Sequence, residues 1–198
     1  TGATRIAAVK IGMLPTAEVV CEVIRLIREH DLPAPVIDPV IESTSGGKLM
    51  EDDAFEVFVT ELLPLAKVVT PNIPEAEKLA GMNIRDEAEM RQAAARIREL
   101  RVRAVLIKGG HLKHGSGVRG QGSEGNKREA IDLLDNDGQV TVFRNEWIEA
   151  VNVRGTGCRL SSAIAASLAN GSDLKEAVRA SKNFLTDQLH NWKLKTEN

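Results

Sequence analysis

The chain is short of the residues that mark several common kinds of protein. It has no tyrosine, four phenylalanines and two tryptophans in 198 residues, too few rings for the stacking platforms that bind single-stranded nucleic acid. Neither sign of charge is in excess: 26 Lys and Arg stand against 28 Asp and Glu, a net −2. The basic surface that nucleic acid requires is therefore not expected. No window approaches ~18 consecutive apolar residues, and the start lacks the basic-then-apolar order of a secretory signal, so neither a membrane span nor export is expected. Two cysteines, Cys21 and Cys158, make no disulfide framework and point to a reducing, cytoplasmic setting. The chain begins at Thr1 rather than at a methionine, as a piece of something longer would. What is present, 42% hydrophobic and 27% charged residues, suffices for one sizeable core.

The apolar residues form short, β-branched runs alternating with stretches of helical period. Strands are expected over 6–11, 36–41, 67–70 and 103–108. Between them fall a helix capped by Thr16, with a stripe of Val19, Val20, Val23, Ile24 and Ile27 reaching about His30, and a helix through Phe55, Val59 and Leu62. A short helix follows with Pro74 in its first turn, then a charged, Ala-rich helix over 86–100. Residues 43–47 and 111–127 read as loops, and 129–134 with 139–144, around Asn136-Asp137-Gly138, as a hairpin at the sheet edge. A helix through Leu160, Ile164 and Leu168 opens at Gly155, and Ser172 caps a last one reaching about Trp192. This order implies an α/β fold, a mainly parallel sheet with helices on both faces, in a single domain over 1–198. Ligands of such sheets sit beyond the carboxyl ends of the strands. There, Gly12-Met13, Asp38-Pro39, Thr70-Pro71-Asn72 and Lys108-Gly109-Gly110 would face one crevice.

Several residues in those turns can carry chemistry. In Gly155-Thr156-Gly157-Cys158 two glycines let backbone N–H groups converge at a helix start, an arrangement that holds phosphoryl groups and also serves as a plain Gly-rich helix start. A thiol placed there is expected to have a depressed pKa, making Cys158 a base or nucleophile unless it is merely structural. Lys108 can reach phosphate oxygens or sit as a surface lysine at a turn. Asp38 and Glu75 can share Mg²⁺, or serve as a turn residue and a helix-dipole partner. Asn72 caps the following helix or touches a phosphate. Met13 lines a ring pocket or fills the core. His111 and His114 have no partners at metal-ligand spacing.

In this order, Lys10-Ile-Gly-Met-Leu14, Val36-Ile-Asp-Pro-Val40, Val69-Thr-Pro-Asn-Ile-Pro-Glu-Ala-Glu77, Val105-Leu-Ile-Lys-Gly-Gly-His-Leu112 and Gly155-Thr-Gly-Cys158 resemble hydroxymethylpyrimidine/phosphomethylpyrimidine kinase, a ribokinase-like family of thiamine biosynthesis. The resemblance implies transfer of the ATP γ-phosphoryl group to 4-amino-5-hydroxymethyl-2-methylpyrimidine and then to its monophosphate, with Mg²⁺ as cofactor. It places Cys158 where most ribokinase-like enzymes have a catalytic aspartate, and makes Gly155, Thr156 and Gly157 the anion hole. Asp38 and Glu75 would organise the metal, Asn72 and Lys108 would lie near the nucleotide phosphates, and Gly12, Met13 and Val40 would border the pyrimidine. A homodimer is common in that family. The sequence also departs from it. Arg154 stands in place of the usual histidine, Arg159 in place of threonine and Thr44 in place of lysine. Several dozen residues that the family carries before the equivalent of Thr1, which complete the acceptor site, are not in this sequence, nor is a short stretch expected beyond Asn198. Two other readings remain open: a pyridoxal kinase, which an aspartate at position 158 would favour, and a non-catalytic pyrimidine- or nucleotide-binding relative.

Overall fold

A computed structural model describes residues 5–42, 47–110, 129–146, 148 and 155–196. The loop expected over 111–127, most of the 43–47 loop with Thr44, and His111, His114, Trp147 and Arg154 lie outside the described residues. Among the described residues, six strands form one sheet in the order β1 (Lys10–Ile11), β2 (Val36–Ile37), β3 (Val68–Val69), β4 (Ala104–Gly109), β5 (Glu129–Asn136), β6 (Gln139–Glu146). The first four run parallel in chain order, and the last two add an antiparallel hairpin at the edge.

Alternation along the strands divides the sheet into two faces. Ile37, Val69, Val105, Ile107 and Leu133 point into the larger core, beneath α1 (Ala17–Glu29), α2 (Asp52–Val57), α3 (Ile73–Ala80) and α4 (Glu87–Glu99). Four parallel strands laid down in sequence with right-handed crossovers place all their connecting helices on the same side. Val36, Val68, Ala104, Leu106, Leu134 and Phe143 point to the other face, which α5 (Thr156–Ala169) and α6 (Leu174–Thr196) cover. The expected α/β sheet with helices on both faces is thus the observed architecture, with four α-helices on one face and two on the other among the described residues.

Element ends differ from expectation for local reasons. The second strand stops at Ile37 because Pro39 has no N–H to donate and Val40 N–H turns back onto Asp38 O at 2.9 Å, a tight three-residue turn. Residues 6–9 are not in strand; the β1–β2 ladder spans only Lys10↔Val36 and Ile11↔Ile37, with Val36 N–H donating to Val9 O. The helix through Phe55, Val59 and Leu62 is α-helical only to Val57, then widens to π geometry over Phe58–Leu62 and tightens to a 3₁₀ turn over Leu63–Leu65. Pro64 cannot donate to Thr60 O, and Arg101 takes that carbonyl instead at 3.1 Å. The last helix is capped by Asp173, whose carboxylate accepts Glu176 N–H at 2.9 Å, rather than by Ser172. The Ser172 hydroxyl is hydrogen-bonded to that of Ser167. The hairpin turns at Asp137 (φ 51°) and Gly138 (φ 89°), the two positive φ angles that a two-residue turn of matching twist requires.

Candidate active site

The strand ends converge as the sequence suggests. On the face covered by α5 and α6, the apolar rows give way to polar residues at the carboxyl ends: Asp38 follows Val36, Thr70 follows Val68 and Lys108 follows Leu106. All three sit at the same edge, and Lys108 reaches across it. Its Nζ donates to Asp38 Oδ1 at 2.8 Å, while its backbone N–H is fixed by Pro71 O, also at 2.8 Å. Thr70 is buried, with its hydroxyl 3.3 Å from Ile37 O and 3.5 Å from Asp38 Oδ1.

The amino end of α5 abuts this pair. Gly155, at φ 80° and ψ 13°, starts the helix from a left-handed conformation open to glycine, and among the described residues no side chain caps it. The first N–H groups of α5 therefore lack the partner that Thr16, Asn72 or Asp86 supplies to its own helix. At Gly157 an added Cβ would lie 2.9 Å from Lys108 Nζ and 4.0 Å from Asp38 Oδ1. Glycine here lets the helix start approach the ammonium. Uncapped N–H groups, a helix dipole and a lysine thus share one small volume, the electrostatic setting for a phosphoryl group.

The ionisable groups perturb one another. Burial works against the Asp38 carboxylate, but Lys108, the Cys158 thiol that donates to it, and Lys10 outweigh that cost and hold its pKa below the ordinary value. Cys158 moves the opposite way to expectation. Desolvation raises its pKa, and the Asp38 carboxylate raises it further, both by accepting its hydrogen bond and by its charge, against a smaller opposing influence of Lys10 and Lys108. The depressed thiol pKa expected from a helix start is therefore corrected. Desolvation and an anionic neighbour together favour the S–H form more than the nearby ammonium groups favour the thiolate.

Asn72 and Glu75 form a reciprocal cap on α3: Asn72 Oδ1 accepts Glu75 N–H at 2.9 Å and Glu75 Oε2 accepts Asn72 N–H at 2.8 Å. Asn72 therefore caps α3, one of its two open alternatives, and Glu75 has a structural task as the other half of that cap. Glu75 is also buried, and that burial, with Asp38 adding its negative charge, lifts its pKa to about 7 against the opposing pull of Lys108 and of backbone donors. Met13 is 56% exposed just past β1, so it does not fill the core; Gly12 and Val40 are half-buried at the same edge.

Charged residues that the sequence reading does not single out also stand here. Lys10 lies on the α5 face of β1 and brings its ammonium to 2.9 Å from where a Gly12 Cβ would be. Its signal is a lysine inside a β-branched run, alternating with Ala8 and Gly12. Asp132 in β5 and Lys182 in α6 form a buried ion pair beside Lys108. Asp132 is visible in sequence as an acid among Ile131, Leu133 and Leu134, whereas Lys182 looks like any helix-surface lysine.

The chain is similar to known proteins along most of its length. The family model described as phosphomethylpyrimidine kinase matches residues 2–198. A hydroxymethylpyrimidine/phosphomethylpyrimidine kinase of Rhizobium meliloti is 44% identical over 181 residues, 91% of this chain and 63% of that protein. Among solved structures, the phosphomethylpyrimidine kinase of Clostridium difficile superposes with a TM-score of 0.75 at 35% identity, covering 92% of this chain and 69% of that one. An ADP complex of Bacillus subtilis pyridoxal kinase gives 0.76 at 35% identity, covering 91% and 62%. The chain spans between 34% and 63% of the length of the first curated relatives it matches. With its ribokinase-like sheet, its five sequence motifs in register and a family match along almost its whole length, the chain belongs to the phosphomethylpyrimidine kinase family.

Proposed function

We propose that the protein of which this chain is part transfers the γ-phosphoryl group of ATP to the hydroxymethyl oxygen of 4-amino-5-hydroxymethyl-2-methylpyrimidine, and then to the phosphate of the resulting monophosphate. The observation that carries the proposal is the Lys108–Asp38 pair lying against the uncapped start of α5. Phosphoryl transfer asks a protein chiefly for positioning and for positive charge around the moving group. Gly155, Thr156 and Gly157 offer N–H groups to the transferring phosphoryl. Lys108 offers its ammonium to the nucleotide phosphates, with Asn72 alongside, and Gly12, Met13 and Val40 border the acceptor ring. Cys158 stands at the helix start, where the hydroxymethyl group must meet the phosphoryl. The new O–P bond forms as the bond to ADP breaks, and the hydroxyl proton passes to the Cys158 sulfur in its thiolate form.

The donor set suits magnesium. Asp38 and Glu75 are buried carboxylates, the hard oxygen ligands that this ion takes. Burial, and to a smaller extent the neighbouring Asp38, raises the Glu75 pKa, and a cation bound between the two carboxylates would offset both. Among the described residues no group of three or more His, Cys, Asp or Glu could hold a metal alone, which fits an ion that keeps its waters and shares polyphosphate oxygens. Asp38 and Glu75 would hold the ion and its waters, and the ion when bound would neutralise charge on the phosphates.

Two free cysteines support the cytoplasmic reading, and among the described residues no helix is long and apolar enough to cross a membrane. The test is an assay of the intact parent protein with ATP, Mg²⁺ and the hydroxymethyl pyrimidine, with pyridoxal as competing acceptor. Sequential appearance of pyrimidine mono- and diphosphate is the expected result. Phosphorylation of pyridoxal alone, or nucleotide binding without product, would overturn the assignment.

A further inference from the structure

Beside the Lys108–Asp38 pair lies a second carboxylate–ammonium pair that the proposed chemistry does not use. In the antiparallel register of β4 and β5, Lys108 stands opposite Asp132 and Gly109 opposite Ile131, so the Lys108 and Asp132 side chains leave the sheet on the same face. The two oxygens of Asp132 are both committed. Oδ1 accepts the backbone N–H of Gly109 at 2.9 Å, and Oδ2 is bonded by Lys182 Nζ from α6. The residues are 7% and 6% exposed, and the Lys182 ammonium also lies 6.0 Å from the centroid of the Phe143 ring. Gly109 in turn is gripped from its other side, because an added Cβ would fall 2.2 Å from Ile131 O and 2.9 Å from Met90 Cε.

We propose that Asp132 is a positioning residue for Lys108: it pins the backbone immediately after that lysine, and Lys182 locks Asp132 in place. The idea rests on the reading of Lys108 as a phosphate-binding group. The peptide link from Lys108 to Gly109 is the last of β4. Lys108 N–H is tied to Pro71 O and Gly109 N–H to Asp132, so both sides of the lysine's Cα are fixed and its ammonium is delivered to Asp38 and Gly157 from a rigid base. An ion pair that served only to dock α6 would need no contact with Gly109. Buried pairs, moreover, contribute little net stability over an apolar pair of similar volume, so stability alone does not account for this one.

Two double variants separate the alternatives, because both remove the buried charges and only one keeps an acceptor for Gly109 N–H. Asp132→Asn with Lys182→Met retains the acceptor and is expected to keep kcat within about threefold of the parent. Asp132→Leu with Lys182→Met lacks it and is expected to lose about 10- to 100-fold in kcat, the scale of a small misplacement of a catalytic group, with the acceptor KM little changed and a comparable Tm. Equal kcat in the two variants would overturn the proposal. A second readout does not depend on the reaction: covalent labelling of Lys108 by an amine reagent, read by mass spectrometry on the full chain, is expected to be faster in the Leu/Met variant than in the Asn/Met variant. If the parent phosphorylates no pyrimidine, the proposed function fails while the labelling result still decides the positioning. If the Leu/Met variant does not fold, amide exchange in the parent decides, with slow exchange at Gly109 expected and exchange as fast as in exposed turns contradicting the proposal.

Discussion

Lys108 and Asp38, 70 residues apart in sequence, meet at 2.8 Å across two strand ends. Their side chains are only 15% and 3% exposed, and the amino end of α5 lies against them. Replacing Lys108 by Met removes both the ammonium offered to phosphate and the counter-charge that holds Asp38 ionised. Turnover is expected to fall by about 10²- to 10³-fold, as for loss of a preorganised charge at a transferring group. Stability at neutral pH is expected to fall by about 3 kcal/mol, because a buried carboxylate loses its main partner. Without Lys108 the Asp38 carboxyl loses its main lowering influence and its pKa rises, so this penalty should shrink as acid protonates the carboxylate. Urea titrations at neutral and acidic pH measure it, and a pH-independent penalty would contradict the assignment.

Two glycines near that lysine separate function from stability. A Cβ at Gly157 meets only the flexible tip of Lys108, at 2.9 Å, whereas one at Gly109 meets the rigid backbone oxygen of Ile131 at 2.2 Å. Gly157→Ala is therefore expected to leave Tm nearly unchanged but to push the ammonium aside, lowering kcat about tenfold or more. Gly109→Ala is expected to destabilise by about 2 kcal/mol or more through overpacking. Thermal melts and steady-state rates on both variants test the contrast, and the opposite pattern would contradict the described geometry.

The sequence makes much of this site legible, because its parts are local. Strand–turn boundaries at Asp38-Pro39, Thr70-Pro71 and Lys108-Gly109 are written in proline and glycine, and a parallel sheet carries them to one edge. Asn72 is open in sequence to the capping role because of its residue type before a helix, and the structure adds Glu75, three residues on, as its reciprocal partner. What local pattern does not carry is pairing across the sheet. The Lys108–Asp38 contact depends on β2 and β4 flanking β3, and the Asp132–Lys182 contact on α6 crossing the hairpin, which spacing along the chain does not specify. The thiol's direction of shift fails for the same reason. The helix start is visible in sequence, while the desolvation of the thiol and the carboxylate of Asp38 beside it, 120 residues away, come only with the fold.

Cys158 provides the next prediction. Its raised pKa leaves the sulfur mostly protonated at neutral pH, so if it receives the hydroxymethyl proton the parent's kcat should climb with pH toward the thiol's titration. Cys158→Ala should remove that slope and lower turnover by about 10²-fold or more, with ATP affinity largely intact. A parent profile flat from neutral to mildly alkaline pH would exclude the proton-accepting role, and an equal loss of ATP binding and rate would make the residue structural.

Glu75 couples the site to stability in a direction unusual for a carboxylate. Its pKa is lifted to about 7 in the folded protein, chiefly by burial, from an ordinary 4.5. Between those values the folded state binds more protons than the unfolded state, so this group makes stability fall as pH rises from about 4.5 to about 7, after which its effect is constant. Glu75→Gln removes the titration while its amide oxygen can still accept Asn72 N–H. With metal chelated, the variant is expected to be more stable than the parent above pH 7 by about 3 kcal/mol, the scale of a rise from 4.5 to about 7, and to show no such gain at pH 4. Magnesium-dependent turnover should fall in the same variant, since the carboxylate proposed to hold the ion is gone. Urea denaturation across the acidic-to-neutral range measures the first effect, and a gain that persists unchanged at pH 4 would show that it comes from packing rather than from the buried charge.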